Sequence, residues 1–160
     1  MATSELPSAM TFALKLLSLR NHSHDELERK LMKKGYTAER IKPVLDKLTT
    51  EGILDDKVFS MELIRSRSRR KPSGKLALCA ELKKRGISNT IIEELLHEYQ
   101  SVELCHKAAE KKISSLHGGA KNEQRKKLEL FLRNRGFGWQ EIQVVLKRFF
   151  EYDQHDNDPC

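Results

Sequence analysis

A chain of 160 residues with 38% hydrophobic and 33% charged residues has material for thin helical cores but not for one large interior. Thirty Lys and Arg against 23 Asp and Glu give a net charge of +7, a balance that selects acidic partners and says nothing about fold. No apolar run nears the ~20 residues of a membrane span, nothing at the start reads as a secretory signal, and three cysteines without paired spacing, Cys79, Cys105 and Cys160, imply reduced thiols in a cytoplasmic protein.

Residues 1–8 lack periodicity and read as a frayed terminus. The pattern predicts a first helix over roughly Ala9–Arg20. The capping box Ser23-x-x-Glu26 then opens a second, which carries Leu27 and Leu31 and stops at Gly35. The third, Ala38–Thr50, holds Pro43 in its interior. A proline there loses a hydrogen bond and costs around 3 kcal/mol in an undistorted helix, so a kink or a shifted start is expected. These three helices make one module, residues 9–54. In the second module, 55–100, Asp55 and Asp56 cap and charge the start of a helix over Lys57–Arg70. Phe59 belongs to its core. A turn at Lys71-Pro72-Ser73-Gly74 leads to a helix with Leu78 and Leu82 that stops at Gly86, and Asn89–Tyr99 follows. The third module, 101–152, repeats the plan with Val102–Leu116, a turn at His117-Gly118-Gly119-Ala120, a helix with Leu128 and Leu132 ending at Gly136, and Trp139–Glu151. Residues 153–160, DQHDNDPC, read as a frayed acidic tail.

The three modules are copies. Gly35, Gly86 and Gly136 lie 51 and 50 residues apart; each is preceded at eight and four residues by leucine and followed at one by Tyr36, Ile87 or Phe137 and at six by Ile41, Ile92 or Ile142. Leucines at that spacing share a helical face, and the glycine falls where a left-handed residue closes a helix. Thr37, Ser88 and Gly138 stand where the next helix needs an N-cap. The fold expected is all-α: three tandem three-helix, helix-turn-helix-like repeats forming an elongated, curved molecule.

Chemistry concentrates between the first two glycine turns of modules one and two. Arg65, Arg67, Arg69, Arg70, Lys71 and Lys75 fall in a stretch, residues 63–80, without one acid. Arginine at 65 and 69 shares a helical face, with 67 and 70 on its flanks, and the guanidinium fork suits phosphate or carboxylate alike. This run is the expected electrostatic contact to protein or DNA. The other basic groups, Lys33-Lys34 and Lys121, Arg125, Lys126 and Lys127, read as solvated faces. Trp139, at the start of the last helix, is expected to pack at a module edge, the alternatives being an exposed anchor or a base-stacking platform. No four-ligand metal spacing, phosphate-cradling glycine loop, HExxH or GxSxG occurs, so no metal, cofactor, catalytic residue or small-molecule substrate is assigned.

Over Thr11–Tyr152 the chain resembles the RecX family, bacterial regulators of the RecA recombinase. The resemblance rests on Gly52-Ile53-Leu54-Asp55-Asp56, then Phe59, Ser66-Arg67, Gly74, Glu81-Leu82 and Gly86-Ile87. Glu26-Leu27-x-x-Lys30-Leu31-x-x-Lys34-Gly35-Tyr36 adds to it in the first repeat, and Lys126 through Phe137 with Ile142 in the third. The turn before Lys75 departs from the pattern, with one glycine where two are usual. The resemblance implies a non-enzymatic negative regulator of homologous recombination, DNA repair and the SOS response. Such a protein binds along the groove of the RecA nucleoprotein filament and hinders ATP hydrolysis, strand exchange and repressor co-cleavage. The alternative from the residues alone is a tandem helix-turn-helix protein that binds single- or double-stranded DNA weakly and without sequence preference. Against groove readout stands the helix Asn89–Tyr99, which carries Glu93, Glu94 and Glu98 and no Lys or Arg.

Overall fold

The computed structural model describes residues 7–151. Among them lie nine helices and no strand: α1 Ala9–Leu19, α2 His24–Lys34, α3 Ala38–Thr50, α4 Asp56–Arg70, α5 Lys75–Lys84, α6 Asn89–His97, α7 Ser101–Ile113, α8 Lys121–Asn134 and α9 Trp139–Phe150. The expected tail, 153–160, and residues 1–6 of the expected frayed start lie outside the described residues. Ser8 does not belong with a frayed start, because its hydroxyl accepts the Thr11 amide at 3.1 Å and caps α1.

Each repeat turns on its glycine in the way the offsets require. Gly35, Gly86 and Gly136 have φ of +105°, +77° and +80°. The amides of Tyr36, Ile87 and Phe137 donate to Leu31, Leu82 and Leu132 carbonyls at 3.2, 3.1 and 3.2 Å. The glycine amides donate to Met32, Lys83 and Arg133 carbonyls at 2.9, 3.0 and 2.9 Å, which completes a Schellman motif three times. Leucines eight and four before each glycine, and the isoleucine six after, are all buried. Each such side chain contributes about 1.5–3 kcal/mol by leaving water.

The caps differ between repeats. Ser23 accepts the Glu26 amide at 3.1 Å, but the Glu26 carboxylate turns to Arg20 and Arg85 instead of closing the expected box. A reciprocal bond does form at Gly138, whose amide donates to Glu141 Oε2 at 2.7 Å. Thr37 makes no side-chain cap. α3 runs unbroken past Pro43 from its expected first residue, so the shifted start does not occur. α6 ends two residues short of expectation, at His97, leaving Tyr99 in the connection to α7.

By internal contacts the chain forms two compact units. Of the described residues, one holds those up to Glu62 and takes back Leu82–Glu93; the other holds Leu63–Glu81 and those from Glu94 to Glu151. The middle repeat is thus divided, with α4, α5 and α6 each contributing residues to both. In the first unit α1, α2 and α3 close on Ala13, Leu27, Leu31, Ile41, Leu45 and Leu48. In the second, α7, α8 and α9 close on Cys105, Ala109, Leu128, Leu132, Phe137 and Leu146.

Within each unit the glycine turn of one repeat seats on the start of the second helix of the repeat before it. In the first, the Ser23 hydroxyl donates to the Arg85 carbonyl at 2.7 Å, and a Cβ on Gly86 would lie 2.4 Å from the Cβ of Asp25. In the second, the Gly74 amide donates to the Arg135 carbonyl at 2.9 Å and the Leu76 amide to the Gly136 carbonyl at 3.2 Å. Ser23 and Gly74 hold the same place in their repeats, four residues before Leu27 and Leu78. In the third repeat that place is Gln124, and α8 has already begun at Lys121, one turn earlier. The Gln124 amide is spent on the Ala120 carbonyl at 3.1 Å.

Candidate functional site

The basic run occupies the last turns of α4 and the loop to α5. Cations at a helix C-terminus complement its negative end, which favours Arg67, Arg69 and Arg70 locally whatever else they do. Arg65, Arg69, Arg70 and Lys71 are exposed and Lys75 is half-buried; among the described residues none has a carboxylate partner. Arg67 stands apart. Its Nε and Nη2 donate to the two oxygens of Glu81 at 3.0 and 2.7 Å, a fork that holds α4 to α5. The hydrogen bond and charge of Glu81 push the Arg67 pKa up. Two motif residues of the sequence reading thereby become one structural pair, and the fan of available cations loses a member.

The loop path follows from backbone accounting. Pro72, Ser73 and Gly74 are buried, so their polar groups need partners. Ser73 Oγ donates to the Lys71 carbonyl at 2.9 Å, and Tyr99 Oη donates to the Ser73 carbonyl at 2.7 Å. Arg135 Nη1 donates to the Pro72 carbonyl at 3.4 Å. Burial pushes the Tyr99 hydroxyl pKa up and the Arg135 pKa down. Gly74 is a glycine by necessity, since a Cβ there would lie 2.1 Å from the Gly136 carbonyl oxygen. Neither Tyr99 nor Arg135 stands out in sequence, because both lie far along the chain from the loop they fix.

The motif acids divide their work. Asp55 Oδ1 accepts the amides of Lys57 and Val58 at 2.8 and 3.1 Å and caps α4. Asp56 reaches back over 32 residues to accept the His24 amide at 2.7 Å, so it caps α2. Phe59 is buried with the Arg85 guanidinium 5.7 Å from its ring centre. Leu82 is buried and Ser66 half-buried. Glu26 collects Arg85 and Arg20 on its two oxygens at 2.5 and 3.2 Å. Burial raises its pKa, but the Arg20 hydrogen bond and the charges of Arg20 and Arg85 win and hold it low.

His22 has no role in the sequence reading and is buried beside this junction. Its Nδ1 lies 2.9 Å from the Arg20 carbonyl and its Nε2 2.9 Å from Lys30 Nζ. The carbonyl only accepts and the ammonium only donates, so the neutral Nδ1–H tautomer satisfies both. Burial, and then the charges of Arg20 and Lys30, lower its pKa. Among the described residues no three His, Cys, Asp or Glu side chains gather as a metal would need, and no helix is long and apolar enough to cross a membrane.

Three family models match in order along the chain: the RecX first three-helix domain over residues 9–48, the second over 55–96 and the third over 98–146. The chain belongs to the RecX family. It is 59% identical to a regulatory protein RecX of Pelodictyon phaeoclathratiforme over the full length of both chains. It is 46% identical to that of Chlorobium limicola over 94% of this chain and 95% of the relative. The crystal structure of RecX from Lactobacillus salivarius shares the fold with a TM-score of 0.79, at 23% identity over 88% of this chain and 93% of that one. Each of the three matched domains contains one of the glycine turns, at Gly35, Gly86 and Gly136. Of the acids that carried the resemblance, Asp55 and Asp56 cap helices and Glu81 pairs with Arg67.

Proposed function

We propose that the protein is a non-enzymatic, cytoplasmic regulator that binds the RecA nucleoprotein filament and restrains it, lowering ATP hydrolysis, strand exchange and co-protease activity, and so acts negatively on recombination, repair and the SOS response. The observation that carries this reading is the match to all three RecX domains, in order, over nearly the whole chain. The exposed cations Arg65, Arg69, Arg70 and Lys71 support an acidic filament surface as partner, because opposite charge speeds encounter and selects against cationic surfaces. Direct DNA contact is an accessory in this scheme. Sequence-specific groove readout is disfavoured by α6, whose Glu93 and Glu94 are both exposed and would meet phosphate with the wrong sign.

The test is a titration of recombinase ATPase on single-stranded DNA. Inhibition is expected at fewer copies of this protein than of recombinase, and weakened by joint Arg69→Glu and Arg70→Glu substitution. Undiminished inhibition by that variant, with helix content intact, would remove the α4 cations from the mechanism; no inhibition by the unsubstituted chain would remove the mechanism itself.

A further inference from the structure

Between α2 and α3 the first unit holds a groove of about 660 Å³ to which nothing above assigns a role. Ala38, Pro43 and the buried Leu45 give it an apolar lining, and Glu28, Glu39 and Asp46 add three carboxylates. Among the described residues none of the three carboxylates has an ion-pair or hydrogen-bond partner. Lys42, which also lines the groove, pairs with none of them. In a chain of net charge +7, an apolar groove with three acids to one lysine is a local reversal of sign, and the local field decides what a cleft attracts. Pro43 adds a second feature. It has no amide hydrogen, so the Glu39 carbonyl lacks its donor one turn on, although α3 runs unbroken. Glu39 and Pro43 both line the groove, so a backbone acceptor without its helical donor joins the carboxylates there. Through His24 the groove adjoins a second hollow of about 340 Å³, lined in part by Leu54, Asp55 and Ile91.

We propose that this groove docks a segment of a partner protein that carries arginine or lysine beside an apolar side chain. The apolar side chain enters over Ala38, Pro43 and Leu45, the cations meet Glu28, Glu39 and Asp46, and the Glu39 carbonyl accepts a donor that α3 cannot supply. An apolar groove with a few polar groups at fixed places is how helical proteins take up peptide segments. The adjoining hollow suits an elongated occupant better than a small molecule. Three unpaired carboxylates repel phosphate and acidic side chains, so neither nucleic acid nor an acidic protein fits. A second copy of this chain would bring +7 against +7, and long-range repulsion opposes that encounter. The inference goes beyond the function proposed above. There the chain offers cations from the second unit; here, in the first, it offers the acceptors.

The test uses full-length protein and a fluorescein-labelled peptide of leucine and arginine, followed by anisotropy. Saturable binding is expected. A peptide with glutamate in place of arginine should not bind, and oligoarginine without leucine should bind far more weakly. Joint Glu39→Lys and Asp46→Lys substitution, at two exposed positions, should raise the dissociation constant about tenfold or more. Pro43→Ala gives α3 back its missing amide and removes the ring from the groove. Its helix content and thermal midpoint should hold or rise while its dissociation constant rises about threefold or more, a split that a purely structural proline would not produce. The proposal falls if the leucine–arginine peptide does not bind, if the glutamate peptide or oligoarginine binds as tightly, or if either variant binds as tightly as the parent. It also falls if sedimentation shows the parent self-associating and the Glu39→Lys, Asp46→Lys variant monomeric, which would assign the groove to a second copy. No recombinase takes part, so failure here leaves filament binding standing, and failure of the ATPase titration leaves this groove standing.

Discussion

Alanine at the three repeat glycines separates backbone strain from packing. All three residues have positive φ and close a helix in the same way, so each alanine incurs a left-handed penalty of roughly 1–2 kcal/mol. Their surroundings differ. A Cβ at Gly35 meets nothing within 4 Å, whereas at Gly136 it would lie 2.4 Å from Ala77 Cβ and 2.5 Å from its amide nitrogen. Backbone cannot swing aside as a long side chain can, and overpacking of this kind adds about 1–3 kcal/mol. Gly136→Ala should therefore cost about 2–5 kcal/mol in total and Gly35→Ala about 1–2. With a urea slope of about 2 kcal/mol per molar, the midpoints drop by roughly 1–2.5 M and 0.5–1 M. Far-UV circular dichroism through a urea series reads both. Gly86→Ala, whose Cβ would meet Asp25 Cβ at 2.4 Å, belongs with Gly136. A Gly35→Ala midpoint shift equal to that of Gly136→Ala would refute the seating of one repeat's turn on another, because only the shared backbone strain would then remain.

Stability should also fall between neutral and mildly acid pH because of His22. Its folded pKa lies below the unfolded value of about 6.5, so the unfolded chain takes up the proton first, and stability is lost as pH drops from the unfolded pKa toward the folded one. Thermal melts at pH 7 and pH 5.5 should show a smaller difference in His22→Gln than in the parent. Glu81→Gln should release Arg67 from its fork and add a cation to the α4 surface, so that the variant leaves a heparin column at higher salt; its stability loss should stay near 1 kcal/mol or less, since the pair is partly solvated. Cys105 is fully buried and its thiol pKa is pushed up to about 12 by burial, so iodoacetamide should leave it unmodified in the folded protein and label it in urea, as peptide mass spectrometry would show.

Leucine and glycine spacing made the nine helices readable, because a Schellman turn writes its requirements into adjacent residues: a leucine four before, an apolar residue one after. What stayed hidden depends on residues distant in sequence. Asp56 looks like a cap for its own helix but serves α2; Glu26 looks like half of a capping box but holds Arg85. In both, a carboxylate near one helix start found a stronger donor elsewhere. Composition marked the basic run, yet the loss of Arg67 to Glu81 needed the α4–α5 turn in three dimensions. Trp139 is 70% exposed at the head of α9, against the favoured packing at a module edge and in line with the exposed alternatives: a tryptophan is usually well buried, and nothing local says that α9 begins by leaving it in solvent.

The extra turn at the head of α8 has a consequence for growth of the array. A fourth brick joined by the same latch would need an open donor where Gln124 stands, and that amide already answers to Ala120. Four residues of surplus helix thus close that position: the Gln124 amide is not open to a turn in the way the Gly74 amide is to the Arg135 carbonyl.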